Sequence, residues 1–64
     1  MFKISLKAAR VNAGLNQTEA AKMLNISVSA LNSWESGETE PKFSQIKRLC
    51  EIYNIPFDNL SICN

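Results

Sequence analysis

The residues best suited to chemistry in this chain are short, polar and set in a row. Wound at about 100° per residue, Ser29, Asn32, Ser33 and Ser36 fall on one side of the segment from Ser27 to Gly37, opposite Ile26, Leu31 and Trp34, with Val28 at the edge. Hydroxyls and a carboxamide arranged in this way donate and accept hydrogen bonds; they do not transfer protons or attack carbonyls without help. That help is missing. The chain has no histidine, its two cysteines, Cys50 and Cys63, have no metal-ligand spacing, and no glycine-rich loop could cradle a phosphate. A chain of 64 residues is one domain, with too little length to enclose a substrate pocket. No enzymatic activity, cofactor or small-molecule substrate is expected.

The elements that must position this row follow from local signals. Asn16 can cap a helix, and Glu19, three residues on, can reach back to the Asn16 amide, so a helix should start at Gln17. Ala20, Ala21 and Leu24 then share one face, with Thr18 and Lys22 elsewhere. Asn25 tolerates the left-handed backbone that ends a helix, Ile26 plugs the corner, and Ser27 caps the next helix, which Gly37 closes. Small residues at 20 and 21 let the two helix axes approach. Before this pair, Phe2, Leu6, Ala9 and Ala13 recur at helical spacing and Gly14 ends the run, with Ser5 or an earlier residue as its start. After it, ESGETEP is a loop, and Phe43, Ile46, Leu49, Cys50 and Tyr53 form an amphipathic stripe with Gln45, Lys47, Arg48 and Glu51 outside. Asn54 closes that fourth helix. Residues 56–60 look like a fifth, short helix with Ile55 and Leu60 turned inward, and no strands are expected. The fold class is therefore all-α, a compact bundle of about five short helices in one domain covering 1–64.

Charge is uneven along the chain. Residues 1–34 hold four bases (Lys3, Lys7, Arg10, Lys22) against Glu19, whereas residues 35–64 hold three bases (Lys42, Lys47, Arg48) against Glu35, Glu38, Glu40, Glu51 and Asp58. The halves carry +3 and −2, and the whole +1, so the basic half is the half with the capped helix pair. No apolar run reaches the ~18 residues of a membrane span, and the cytoplasm is the default location. Cys50 is read as a small core hydrophobe and Trp34 as core; Lys47 and Arg48 are read as solvated charges.

The stretch GLNQTEAAKMLNISVSALNSWESG, together with LKAAR before it and IKRLCEIYNIPFDNL after Pro41, resembles the helix-turn-helix of the XRE type, the group that holds the lambda and 434 phage repressors and Cro. The resemblance implies a lambda repressor-like DNA-binding domain with its motif at about 17–36. Its function would be that of a transcriptional regulator, of the phage or mobile-element repressor or Cro type, that reads operator half-sites in double-stranded DNA. The second motif helix would enter the major groove and read bases through Val28, Ser29, Asn32 and Ser33. Val28 would pack on a thymine methyl, and Asn32 would reach an adenine edge. None of the four is a strong reader, so discrimination should be modest. Gln17, at a helix N-terminus that favours anions, would hold phosphate, with Ser27, Ser36, Lys42 and Lys7 as further backbone contacts.

The resemblance also implies a structural ion pair between Arg10 and Glu35. Arg10 shares its face with Leu6 and Ala13, which favours that role over DNA contact. A single small domain makes few contacts, so a homodimer is expected, with Phe57, Leu60 and Ile62 as its face. Where relatives of this type often have Lys or Arg after the loop glycine, this chain has Glu38 and Glu40, which would repel phosphates. That departure, with the low net charge, keeps a second reading open: a protein-interaction module of the same fold, such as an antirepressor, an antitoxin or a modulator of another regulator.

Overall fold

A computed structural model describes residues 3–61; Phe2, Ile62 and Cys63 lie outside the described residues. In chain order the elements are β1 (Ile4–Ser5), α1 (Leu6–Asn12), α2 (Gln17–Leu24), α3 (Val28–Ser36), α4 (Phe43–Tyr53), a single 3-10 turn (Phe57–Asn59) and β2 (Leu60–Ser61). The architecture is thus four α-helices with a short strand pair, and two expectations need correction. The fifth helix is one 3-10 turn, which starts after the extended Pro56 and stops as Leu60 becomes extended. The expectation of no strands is also overturned: β1 and β2 pair in parallel, Ile4 opposite Leu60 and Ser5 opposite Ser61. Strands of two residues carry no periodicity, so only their meeting in space reveals them.

The helices begin and end where their capping residues stand. Ser5 accepts from the Ala8 amide at the start of α1. Asn16 and Glu19 exchange side-chain and backbone hydrogen bonds of 2.7 and 3.0 Å at the start of α2, and Ser27 accepts from the Ala30 amide at the start of α3. Asn25, Gly37 and Asn54 all have positive φ at the helix ends, where the left-handed backbone turns the chain out of the helix. At the start of α4 the side chain of Gln45 accepts from the Lys42 amide at 2.7 Å.

The core gathers one face from each helix: Leu6 and Ala9 from α1, Ala20 and Ala21 from α2, Leu31 and Trp34 from α3, Leu49 and Tyr53 from α4, and Leu60 from β2. Leu24, Ile26, Ile46, Cys50 and Ile55 pack around it half-buried. Leu31 and Leu49 are the largest fully covered side chains, so cutting either to Ala costs about 2–5 kcal/mol. Two apolar positions read as inward are not. Ala13 is exposed because α1 ends one residue earlier and Ala13 serves as its cap. Phe43, 66% exposed, opens α4 and meets Phe57 edge-on, with ring centroids 6.1 Å apart.

Candidate nucleic-acid interface

The site is built on α2 and α3. Ala20 and Ala21 are buried where the two helices meet, and the left-handed Asn25 turns the chain between them. With Leu31 and Trp34 anchored in the core, the opposite side of α3 is turned outward: Ser29, Asn32 and Ser36 are exposed, Val28 is 40% exposed, and Ser33 is half-buried. The four residues assigned to base reading therefore share the outer side of one nine-residue helix.

Behind this face stands a polar network. Arg10 donates from Nε to Glu35 Oε2 at 2.7 Å and from Nη2 to Oε1 at 3.3 Å, in a forked pair. Its Nη1 donates to the Leu15 carbonyl at 2.9 Å. The two side chains are only 9% and 5% exposed. The hydrogen bond to Glu35 raises the Arg10 pKa above its ordinary value against the opposing effect of burial, so the guanidinium stays charged. Tyr53 lies near it: its pKa is pushed up to about 12, first by burial and then by the Glu35 charge. Its buried hydroxyl has no hydrogen-bond partner among the described residues.

Gln17 extends the network to the surface. Its Nε2 donates to Glu35 Oε1 at 3.0 Å and to Asn32 Oδ1 at 3.2 Å. Lys7, Arg10, Gln17, Asn32, Glu35 and Ser36 line an open recess of about 500 Å³ beside α3. The structure thus brings three of the residues assigned to phosphate, Gln17, Ser36 and Lys7, to the rim of the base-reading face. Ser27 is engaged as the cap of α3, and Lys42 is exposed at the start of α4.

Sequence reasoning did not find the bond from Gln17 to Asn32. It joins residues far apart in the chain, and only the wheel position of Asn32 beside the start of α2 hinted at it. Nor did it find that the Ser36 hydroxyl faces two acceptors, the Ser33 carbonyl at 3.1 Å and Glu38 Oε1 at 3.3 Å. Leu60, assigned to the dimer face, is only 4% exposed and belongs to the core. It is the ladder partner of Ile4, and its side chain belongs to the core cluster. Phe57 remains 53% exposed. Among the described residues no group of three or more His, Cys, Asp or Glu is placed to hold a metal ion, and no helix is long and apolar enough to cross a membrane.

Capped helices meeting at a left-handed asparagine, with a polar outer face on the second, define a helix-turn-helix domain. The chain belongs to the helix-turn-helix family of the XRE type, whose pattern matches residues 6–60. Among curated proteins it is similar to the HTH-type transcriptional regulator ImmR of Bacillus subtilis (strain 168), at 38% identity over 86% of this chain and 43% of that protein. It is also similar to the HTH-type transcriptional activator BcrR of Enterococcus faecalis, at 29% identity over 92% of this chain and 29% of that protein. The chain therefore spans less than half the length of either relative. No solved structure gives a significant match.

Proposed function

We propose that this domain is a DNA-binding transcriptional regulator of the repressor or Cro kind, which lays α3 in the major groove and reads half-sites through Val28, Ser29, Asn32 and Ser33. The observation that carries the reading is the exposed polar side of α3, which an ordered hydrogen-bond network flanks. Phosphates would be held by the backbone N–H groups at the start of α2 and by Lys7, Lys42 and Ser36. Ser27 would contribute through its backbone, since its hydroxyl caps α3. Repression needs only occupancy of a site, and the domain would act in the cytoplasm on double-stranded DNA. A homodimer on two half-sites about one helical turn apart supplies the contacts that one copy lacks. Phe57, with Phe43 beside it, offers exposed apolar surface for such a face. Ile62, outside the described residues, would add to it.

One observation favours a protein-interaction module instead: the Glu38 carboxylate lies 3.3 Å from the Ser36 hydroxyl, at a position the first reading gives to a phosphate. Retention on immobilised duplex DNA across a salt series separates the two. A regulator is retained at low salt and released as salt rises, with a log-log slope of about −0.9 for each phosphate neutralised. Absence of retention at low salt rejects the DNA reading.

A further inference from the structure

We propose that Val28 makes DNA binding by this domain responsive to cytosine methylation, because it reads the C5 methyl of a pyrimidine and takes thymine and 5-methylcytosine alike. This rests on the DNA-reading function above and names a class of base that function would take. Val28 is the first residue of α3 and is 40% exposed. The turn that carries it is fixed by Ser27, whose hydroxyl accepts from the Ala30 amide at 3.0 Å, and by Leu31, which is fully buried in the core. A β-branched side chain has few rotamers to lose. The helix therefore presents two methyl groups from a set place on its N-terminal turn, the part that meets base edges when a recognition helix enters the major groove.

A side chain without donors or acceptors reads only an apolar feature, and among the four ordinary bases that feature is the thymine methyl. Cytosine differs from thymine in two respects: it lacks the methyl, and it carries an N4 amino group where thymine has its O4 oxygen. Telling N4 from O4 takes a group that only donates or only accepts. Among the described residues the outer side of α3 has none. The hydroxyls of Ser29 and Ser33 do both. So does the Asn32 carboxamide, whose bond from Gln17 at 3.2 Å uses one lone pair of its oxygen. Glu35, the one charged residue of α3, is held by Arg10 at 2.7 and 3.3 Å. Lys7, which only donates, stands beside the later turns, with Asn32, Glu35 and Ser36. The polar groups around Val28 thus adapt to either pyrimidine, and the methyl is what is left to discriminate. In 5-methylcytosine that methyl sits on the same ring atom as in thymine.

Selection of bound sequences from a random duplex pool, run with the wild type, V28A and V28S, locates the position whose thymine preference depends on Val28. Circular dichroism on each variant ensures that only folded protein is compared. Duplexes with thymine, uracil, cytosine or 5-methylcytosine at that position, each opposite its matched purine, are then compared by fluorescence anisotropy. Thymine against uracil, and 5-methylcytosine against cytosine, differ by one methyl group alone. The wild type should bind the methylated member of each pair about fourfold more tightly, the worth of one methyl withdrawn from water. In V28A and V28S both ratios should fall toward one. A gain for thymine over uracil without a gain from methylating cytosine would overturn the proposal. So would equal binding within both pairs, ratios that survive in the variants, or the absence of any thymine preference that depends on Val28, and each of these would leave the DNA-reading function in place. Enrichment of no sequence by the folded wild type would overturn that function, and the proposal with it.

Discussion

Replacing Arg10 alone should damage this domain far more than replacing it together with its partner. In Arg10→Met the Glu35 carboxylate, 5% exposed, loses both bonds from the guanidinium and keeps only the Gln17 amide at 3.0 Å. The Leu15 carbonyl also loses its donor. Stranding one member of a buried pair costs about 3–5 kcal/mol, and the surviving Gln17 bond places this variant near the lower end. Glu35→Leu leaves the guanidinium with only the Leu15 carbonyl and takes an acceptor from Gln17 as well, so it should cost at least as much. For a domain of this length the whole stability is about 3–10 kcal/mol, so either single variant would approach unfolding at room temperature.

In the double variant Arg10→Met/Glu35→Leu no charge is left buried, and replacement of an ion pair by apolar residues of similar volume is often neutral or stabilising. Its stability should lie within about 1 kcal/mol of wild type, giving a coupling energy of about 3 kcal/mol or more between the two sites. Urea unfolding followed by circular dichroism measures all four corners of this cycle. Equal damage in Arg10→Met and in the double variant, or single losses that simply add, would refute the reasoning.

Other expected outcomes concern the loop and the core. Changing Glu38 and Glu40 together to Lys should raise affinity for duplex DNA at low salt, by freeing the Ser36 hydroxyl from Glu38 and reversing two charges beside α3. Fluorescence anisotropy measures this, and unchanged or weaker binding means that the loop points away from DNA. Tyr53→Phe removes a buried hydroxyl that has no partner among the described residues and should leave stability unchanged or raise it by about 1 kcal/mol; a loss of that size would show that the hydroxyl is satisfied in solution. Because burial lifts the Tyr53 pKa from 10.0 to about 12, the folded state holds that proton more tightly than the unfolded chain does. Its contribution is complete below pH 10 and is lost as pH rises toward 12. Melting curves of wild type and Tyr53→Phe over that range should show the steeper decline in wild type.

What could be read from the residues in order was mostly what depends on near neighbours. Asn16 with Glu19, Ser27, Asn25 and Gly37 announce helix ends because a cap acts over three or four residues, and each stands at the expected boundary. The outward side of α3 was legible for the same reason: Leu31 and Trp34 define the opposite side. Features that depend on distant residues were not. Nothing in Ile4–Ser5 or Leu60–Ser61 distinguishes a strand from a loop until the two segments lie side by side. Phe43 fits the apolar stripe of α4 by spacing, yet it stays exposed. The bond from Gln17 to Asn32 was also hidden, since it joins α2 to α3.

The paired dipeptides, drawn from opposite ends of the described chain, act as a clasp. Two-residue strands contribute few backbone bonds, and in isolation such a pair would open readily. Leu60, however, is at once a rung of this ladder and a buried member of the core. Undoing the clasp bares apolar surface to water, so its opening is tied to loosening beneath α1 and α4. The two chain ends are thereby coupled to the helical body through one buried side chain, and a cut at either of them should loosen the packing under α1 and α4.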